Sequence, residues 1–283
     1  SYRPESRGFD EVYIHGGGGI GQTYPGSCGD APGNTNIDPA LWHNGKFEKT
    51  KGYCTDLFFA QAIRWMESAR AGKQPFFTYL PLNAAHGPHV LPEDYYKQYR
   101  GKPGVSEETA KFLGMIENID TNFGALLRKL DEWGIAQNTL VIVTSDHGMP
   151  FPRVKGHTYD DAHHIPFVVS WPAGIAKPGR RVAELISFID LAPTFVEALG
   201  GKPASHILEG RSLIGALMGR DEKWREAVFS EADYAFRQAR RDLGVAPPDE
   251  QSTTSTPRRY PVRRRSRAVR PHRRGRRSPW SRR

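Results

Sequence analysis

Thr139-Leu140-Val141-Ile142-Val143-Thr144-Ser145-Asp146-His147-Gly148 is the stretch on which the reading of the fold turns. Its first six residues are aliphatic or β-branched, the pattern of a short buried strand. A carboxylate and an imidazole follow at once, so both stand at a strand tip and can reach one cation. Gly148 then lets the chain turn sharply away. A turn with a capping Asp146 and a solvated His147 is the other reading, and the stretch alone leaves both open.

Working outward, residues 107–133 give the clearest helix. Phe112, Ile116, Ile119, Phe123, Leu126, Leu130 and Trp133 recur at spacings of three and four, and Gly134 ends the run. Before it, Thr55 or Asp56 is a good N-cap for a helix carrying Phe59, Ile63 and Met66 and ending near Gly72. The apolar and aromatic run at 75–80 reads as a second buried strand, and 167–170 as a third. A helix over 188–199 closed by Gly200-Gly201, and a last strand at 227–230, complete the pattern. Strands alternate with helices, which predicts an α/β domain with a mostly parallel sheet flanked by helices on both faces. In such sheets ligands sit beyond the C-terminal strand ends, so chemistry is expected just after each strand.

Residues 1–55 are rich in Gly, Pro and Asn, with a four-glycine run at Gly16–Gly19, and read as surface loop. The run has no preceding strand with a GxGxxG and no phosphate-loop lysine, which excludes a nucleotide-binding reading. The formal charge of +9 is concentrated in one place: residues 251–283 hold 13 arginines, no lysine and no acid. The rest of the chain has 27 of the 40 basic residues against all 31 acidic ones, a mildly acidic body without a nucleic-acid signature. No apolar run has membrane-span length. Cys28 and Cys54 make neither a disulfide framework nor a zinc-ligand set; they are one bridge or two unrelated thiols.

Several further residues could carry chemistry. His86 lies in the small-residue loop Asn83-Ala84-Ala85-His86-Gly87-Pro88-His89 just after the strand at 75–80. There it could donate to an anionic substrate oxygen or act as general acid; a capping or solvated histidine is the alternative. Arg153 and Lys155 follow Asp146-His147, and fixed cations near a metal suit a tetrahedral anionic group. His163-His164 lies just before the third strand, where adjacent histidines would face opposite ways, and reads as ordinary surface.

Taken in order, these pieces resemble the sulfatase family, arylsulfatase-like members of the alkaline-phosphatase-like superfamily. The resemblance runs over roughly residues 2–245. It rests on Tyr2-Arg3-Pro4-Glu5-Ser6-Arg7-Gly8-Phe9-Asp10, Gly52-Tyr53-Cys54-Thr55-Asp56, Pro75-Phe76-Phe77 with His86, and Ile119-Asp120. Ser145-Asp146-His147-Gly148, Pro166-Phe167 with Trp171-Pro172, and Asp190-Leu191-Ala192-Pro193-Thr194 continue it. The resemblance implies a sulfuric ester hydrolase with a formylglycine nucleophile and one divalent cation, most often Ca2+. It implies Asp146 and His147 as metal ligands, and His86 and Lys155 as catalytic residues that hold the sulfate and assist the leaving oxygen. The family usually carries Asp-Asn where this chain has Asp146-His147, and an imidazole shifts preference toward Mn2+ or Zn2+. The implied partner is a small-molecule or glycan sulfate ester, with no specific nucleic acid and no membrane segment. A phosphonate monoester or phosphodiester hydrolase of the same fold is the alternative, and a catalytically inactive fragment is another.

Residues 1–245 contain no C/S-x-P-x-R, since neither Cys28 nor Cys54 is followed by the required Pro and Arg. The family's Gly-Lys-Trp-His-Leu-Gly segment is absent as well. The expectation is therefore the distal part of a catalytic domain over 1–245, truncated at its N-terminus and inactive alone, with an incomplete sheet. Asp160-Asp161-Ala162-His163-His164 also departs from the glycine-bearing turn usual there. Residues 246–283 form an Arg/Pro-rich tail that cannot bury a core and is expected to be disordered. It reads as an out-of-frame translation of a GC-rich gene or, failing that, as a nucleic-acid-binding arm.

Overall fold

The computed structural model describes residues 3–16, 19–21, 31–150, 154–204, 207–220 and 224–228. Five strands and five α-helices run along the described chain. These are β1 (Tyr13–Ile14), β2 (Ala40–His43), β3 (Lys46–Lys49), α1 (Cys54–Ala71), α2 (Glu107–Glu132), β4 (Val141–Thr144), α3 (Asp160–His163), β5 (Phe167–Ser170), α4 (Leu191–Ala198) and α5 (Ile214–Leu217). One core lies where α1, α2 and the N-terminal sheet meet, around Leu41, Tyr53, Cys54, Phe58, Tyr96, Ala110 and Met115. Leu91, and the half-buried Leu82, Ala84 and Ala85, pack against the same core, so the loop bearing His86 is rooted in it on both sides.

The helices follow the sequence closely. The hydroxyl of Ser106 caps α2 by accepting from the Thr109 N–H at 3.1 Å. Gly134 ends it at φ +69°. The buried face of α2 is rotated from the expected stripe: Ala110, Phe112, Gly114, Met115 and Asn118 are buried, while Ile116 is exposed. Gly114 explains this, because a Cβ there would sit 2.6 Å from Tyr96 Cβ and 2.7 Å from the Tyr95 carbonyl. Helix α1 starts at Cys54, with Tyr53 in the cap position and no side-chain cap. Asp56 is therefore no cap. Its carboxylate accepts from Tyr95 Oη at 2.6 Å, Asn118 Nδ2 at 2.8 Å and Asn122 Nδ2 at 2.7 Å, tying α1 to α2.

The sheets depart from the expectation of a mostly parallel sheet flanked by helices on both faces. All described strand pairs are antiparallel: β1-β2-β3 in one sheet and β4-β5 in another. A parallel pair needs a crossover helix lying on the sheet. Between β4 and β5 the chain instead makes the four-residue α3 and returns, pairing Val141 with Ser170 and Thr144 with Phe167. No described helix packs on β4–β5, and Val143 and Val168 are exposed. Residues 75–80 form no strand, and no backbone hydrogen bond pairs them with a described neighbour. Phe77 and Tyr79 are exposed, and the hydroxyl of Thr78 is buried without a partner among the described residues.

The segment at 1–55 holds a sheet where loop was expected. Asn44 and Gly45, at φ +44° and +103°, form the two-residue turn between β2 and β3. An Asn-Gly pair favours a type I′ hairpin because both residues tolerate positive φ. The sheet is clasped to α1 through His43. Its Nδ1 lies 3.0 Å from Glu48 and its Nε2 2.8 Å from Glu11, which also accepts from Gln61 of α1. The expected helix over 188–199 divides into a 3₁₀ turn at Phe188–Asp190 and α4. Asp190 is fully buried and takes a bidentate pair from Arg225. Ala227 and Val228 are not in a strand; Phe229, Ser230, Cys28 and the tail lie outside the described residues. Cys54 is a free buried thiol, and burial pushes it up to about 11.

The His43 clasp predicts a pH window. Burial works against the imidazolium, but the hydrogen bonds to Glu48 and Glu11 outweigh it, so His43 titrates above its ordinary 6.5. Burial likewise works against the Glu11 carboxylate, and the bonds from Asn44, Gln61 and His43 outweigh it, so Glu11 titrates below 4.5. The His43 contribution is complete below pH 6.5 and is lost as pH rises through its folded value. The Glu11 contribution is present above pH 4.5 and is lost as pH falls through its folded value. The melting-temperature difference between wild type and His43→Gln should therefore be largest near pH ~5.5 and shrink by pH ~8. A difference independent of pH would remove the clasp from the account.

Candidate active site

The site is built on two loops. The first follows residues 75–80 and closes as a turn, with the His86 N–H donating to the Asn83 carbonyl at 2.9 Å. The His86 ring donates through Nδ1–H to the Gly87 carbonyl at 2.6 Å, which turns the lone pair of Nε2 outward. Lys155 Nζ lies 3.2 Å from that Nε2. Two residues 69 positions apart thus meet, an ammonium donating to an imidazole on an exposed surface.

The second loop leaves the tip of β4. Ser145 Oγ donates to the His147 carbonyl at 2.9 Å, and the His147 N–H donates to Asp146 Oδ1 at 3.0 Å. The His147 ring faces the Gly148 carbonyl through Nδ1 at 2.8 Å, leaving Nε2 3.3 Å from Asp146 Oδ2. His147 Nε2 and Asp146 Oδ2 stand close without a hydrogen bond between them. A spacing of 3.3 Å also suits neighbouring ligands on one metal ion. The donor set therefore fits a divalent cation, and the backbone carbonyl on Nδ1 fixes the tautomer a metal-bound histidine needs. Among the described residues no three His, Cys, Asp or Glu side chains converge on a metal position.

Gly148 is required by contact. Its φ is not positive, which corrects the reading of a sharp glycine turn. A Cβ there would stand 2.2 Å from the Asp161 carbonyl oxygen and 2.5 Å from Val154 Cγ1. Its N–H donates to the Ala162 carbonyl at 2.9 Å, seating the strand tip beneath α3. Lys155 N–H donates to the Met149 carbonyl at 3.2 Å, which binds the lysine's segment to the Asp146-His147 loop.

His163 is on α3 and His164 follows it, so neither precedes the third strand in extended chain as expected; both are exposed. Arg153 lies outside the described residues. An open groove of about 400 Å³ runs along residues 75–80, between Phe9, Trp65 and Tyr79, and none of the four candidate residues lines it. Sequence reasoning missed the buried Asn36 and Asn83, which brace the His86 loop. The sequence does hold one formal C/S-x-P-x-R string, Ser255-Thr256-Pro257-Arg258-Arg259. It lies in the arginine-rich tail, outside the described residues and after Asp146-His147, whereas in the resemblance the nucleophile motif comes first.

Replacing Gly148 with Ala is expected to cost ~2 kcal/mol, because backbone must move to admit the methyl. Gly124→Ala, inside α2 with only the flexible Arg128 nearby, should gain up to about 1 kcal/mol. Urea unfolding of both variants checks this contrast; equal effects would mean that the approach at Gly148 is not tight.

Comparisons with known proteins bear on the family. The sulfatase family model matches residues 2–201. The chain is 29% identical over 235 residues to the uncharacterized sulfatase YdeN of Escherichia coli K12, covering 78% of this chain and 39% of YdeN. It is 29% identical over 202 residues to an ulvan-active sulfatase of Formosa agariphila, covering 66% of this chain and 33% of that protein. The crystal structure of Ps i-CgsB superposes with a TM-score of 0.66 at 28% identity, over 77% of this chain and 52% of that one. The same protein in complex with k-i-k-neocarrahexaose matches equally well. The chain thus spans about half, or less, of the length of these relatives. With the family model matched over most of its length and the fold in agreement, this chain belongs to the sulfatase family.

Proposed function

We propose that this chain supplies the sulfate-holding residues and two metal ligands of a sulfuric ester hydrolase. The observation that carries the reading is the meeting of Lys155 Nζ with His86 Nε2 at 3.2 Å. Two hydrogen-bonding groups from distant segments converge on exposed space, where an anion can enter. A tetrahedral sulfate accepts from the ammonium, which offsets charge on its oxygens as the ester bond breaks. His86 reaches the same group through Nε2 and, when that nitrogen is protonated, hands its proton to the leaving oxygen. Its Nδ1–H bond to the Gly87 carbonyl keeps the ring aimed during the transfer.

Asp146 Oδ2 and His147 Nε2 would hold the divalent cation, which supplies Lewis-acid polarisation of the sulfate oxygens. An imidazole in this set favours Mn2+ or Zn2+ over the Ca2+ of an all-oxygen shell. The resemblance to an ulvan-active sulfatase, and to a structure solved with k-i-k-neocarrahexaose, supports a glycan sulfate ester as substrate. The nucleophile is assigned to the part of the protein that lies outside this chain.

The test uses the complete protein containing this chain, assayed with nitrophenyl sulfate and a phenyl phosphonate. Sulfate ester hydrolysis should dominate. Lys155→Ala should lower kcat/KM by ~10²-fold or more. His86→Ala should cost more with an alkyl than with a nitrophenyl leaving group, because the poorer leaving group depends on the donated proton. Dominant phosphonate hydrolysis would replace the sulfate reading with a phosphonate monoester hydrolase. In the isolated chain, His147→Ala should weaken Mn2+ binding by about tenfold or more; unchanged affinity would remove His147 from the shell.

A further inference from the structure

The loop bearing His86 is held from beneath by two asparagines that no sequence pattern marks. Asn83 is 7% exposed and Asn36 is 2% exposed. Asn83 Oδ1 accepts from the Ile20 N–H at 3.1 Å. Its Nδ2 donates to Asn36 Oδ1 at 3.1 Å. Asn36 Nδ2 donates onward to the Pro88 carbonyl at 3.3 Å. Asn36 is itself fixed to the start of α1, where the Cys54 N–H donates to its carbonyl at 2.9 Å. The His86 N–H closes on the Asn83 carbonyl. The relay therefore grips the loop on both sides of His86, at Asn83 before it and at Pro88 after it.

The direction of the relay follows from its ends. A backbone N–H enters at Ile20, so the atom of Asn83 facing it must be an oxygen. A backbone carbonyl leaves at Pro88, so the atom of Asn36 facing it must be a nitrogen. Only the arrangement Nδ2 to Oδ1 between the two amides satisfies all four groups. No side-chain flip repairs the loss of either amide. An aspartate at position 36 sets a carboxylate oxygen against the Pro88 carbonyl, and one at position 83 sets a carboxylate oxygen against Asn36 Oδ1. In a buried place such a contact displaces the loop rather than being screened by water.

We infer that Asn36 and Asn83 are positioning residues for His86, setting where Nε2 meets Lys155 and the bound anion. The inference rests on the sulfate-holding reading of His86 and Lys155. It also assigns a task to the segment following the four-glycine run: Ile20, 1% exposed, is the fixed point from which the relay starts.

The test is made on this chain with inorganic sulfate as the probe. Two readouts are taken, the imidazole nitrogen shifts of His86 in a long-range proton–nitrogen NMR spectrum and the sulfate dissociation constant. In wild type the His86 shifts should report the Nδ1–H tautomer. Asn36→Asp should move them and weaken sulfate binding about tenfold, while Mn2+ affinity at Asp146 and His147 stays within about twofold, since additivity holds for sites without shared partners. If Asn36→Asp does not fold, Asn36→Ala removes the donor without a buried charge and should show the same signature. Unchanged His86 shifts and sulfate affinity in a folded variant would overturn the inference. If His86→Ala leaves sulfate affinity unchanged, the sulfate-holding reading fails. The imidazole shifts still decide the positioning claim in that case.

Discussion

The site depends on one close approach of backbone to backbone. At Gly148 the strand tip lies so near α3 that a methyl group would meet the Asp161 carbonyl oxygen at 2.2 Å. The glycine N–H converts that proximity into a hydrogen bond with the Ala162 carbonyl. Because the chain is seated there, Asp146 and His147, two residues and one residue before it, project from a fixed base. Val154 and Ala162, both buried, fill the space beneath and carry the chain on to Lys155. Asp146, His147 and Lys155 are in this sense placed by the same packing.

The second support is polar and buried. Asp56, Asn118, Asn122 and Tyr95 join α1 to α2, while Asn36 and Asn83 join the start of α1 to the His86 loop. Buried amides and carboxylates are costly unless paired, so a satisfied network specifies one arrangement more sharply than an apolar patch of equal size. The short side chains of this network leave little freedom in where His86 stands relative to α1.

Much of this was legible from local signals. The end of α2 at Gly134 could be read because a left-handed residue is needed there. Asp146, His147 and His86 could be picked out as candidates because they follow strand-like runs, and Lys155 by its place in family order. What could not be read depends on partners far away in the chain. The buried face of α2 is set by how closely Gly114 lets Tyr95 and Tyr96 approach. The antiparallel pairing of β4 with β5 follows from the connection between them, and periodicity carries no strand direction. The hairpin at Asn44-Gly45 was signalled, but the surrounding glycine and proline content masked it. Asn36 and Asn83 are ordinary loop residues until the 47-residue gap between them is closed.

The central claim is that the two loops build one site, with the cation on Asp146 and His147 and the anion on His86 and Lys155. A crystal of this chain grown with Mn2+ and sulfate tests it most directly, through the anomalous signal of the metal. The account predicts a manganese peak about 2.2 Å from both Asp146 Oδ2 and His147 Nε2. It also predicts a sulfate about 2.9 Å from Lys155 Nζ and His86 Nε2. Manganese bound elsewhere, or a sulfate that touches neither His86 nor Lys155, would contradict it.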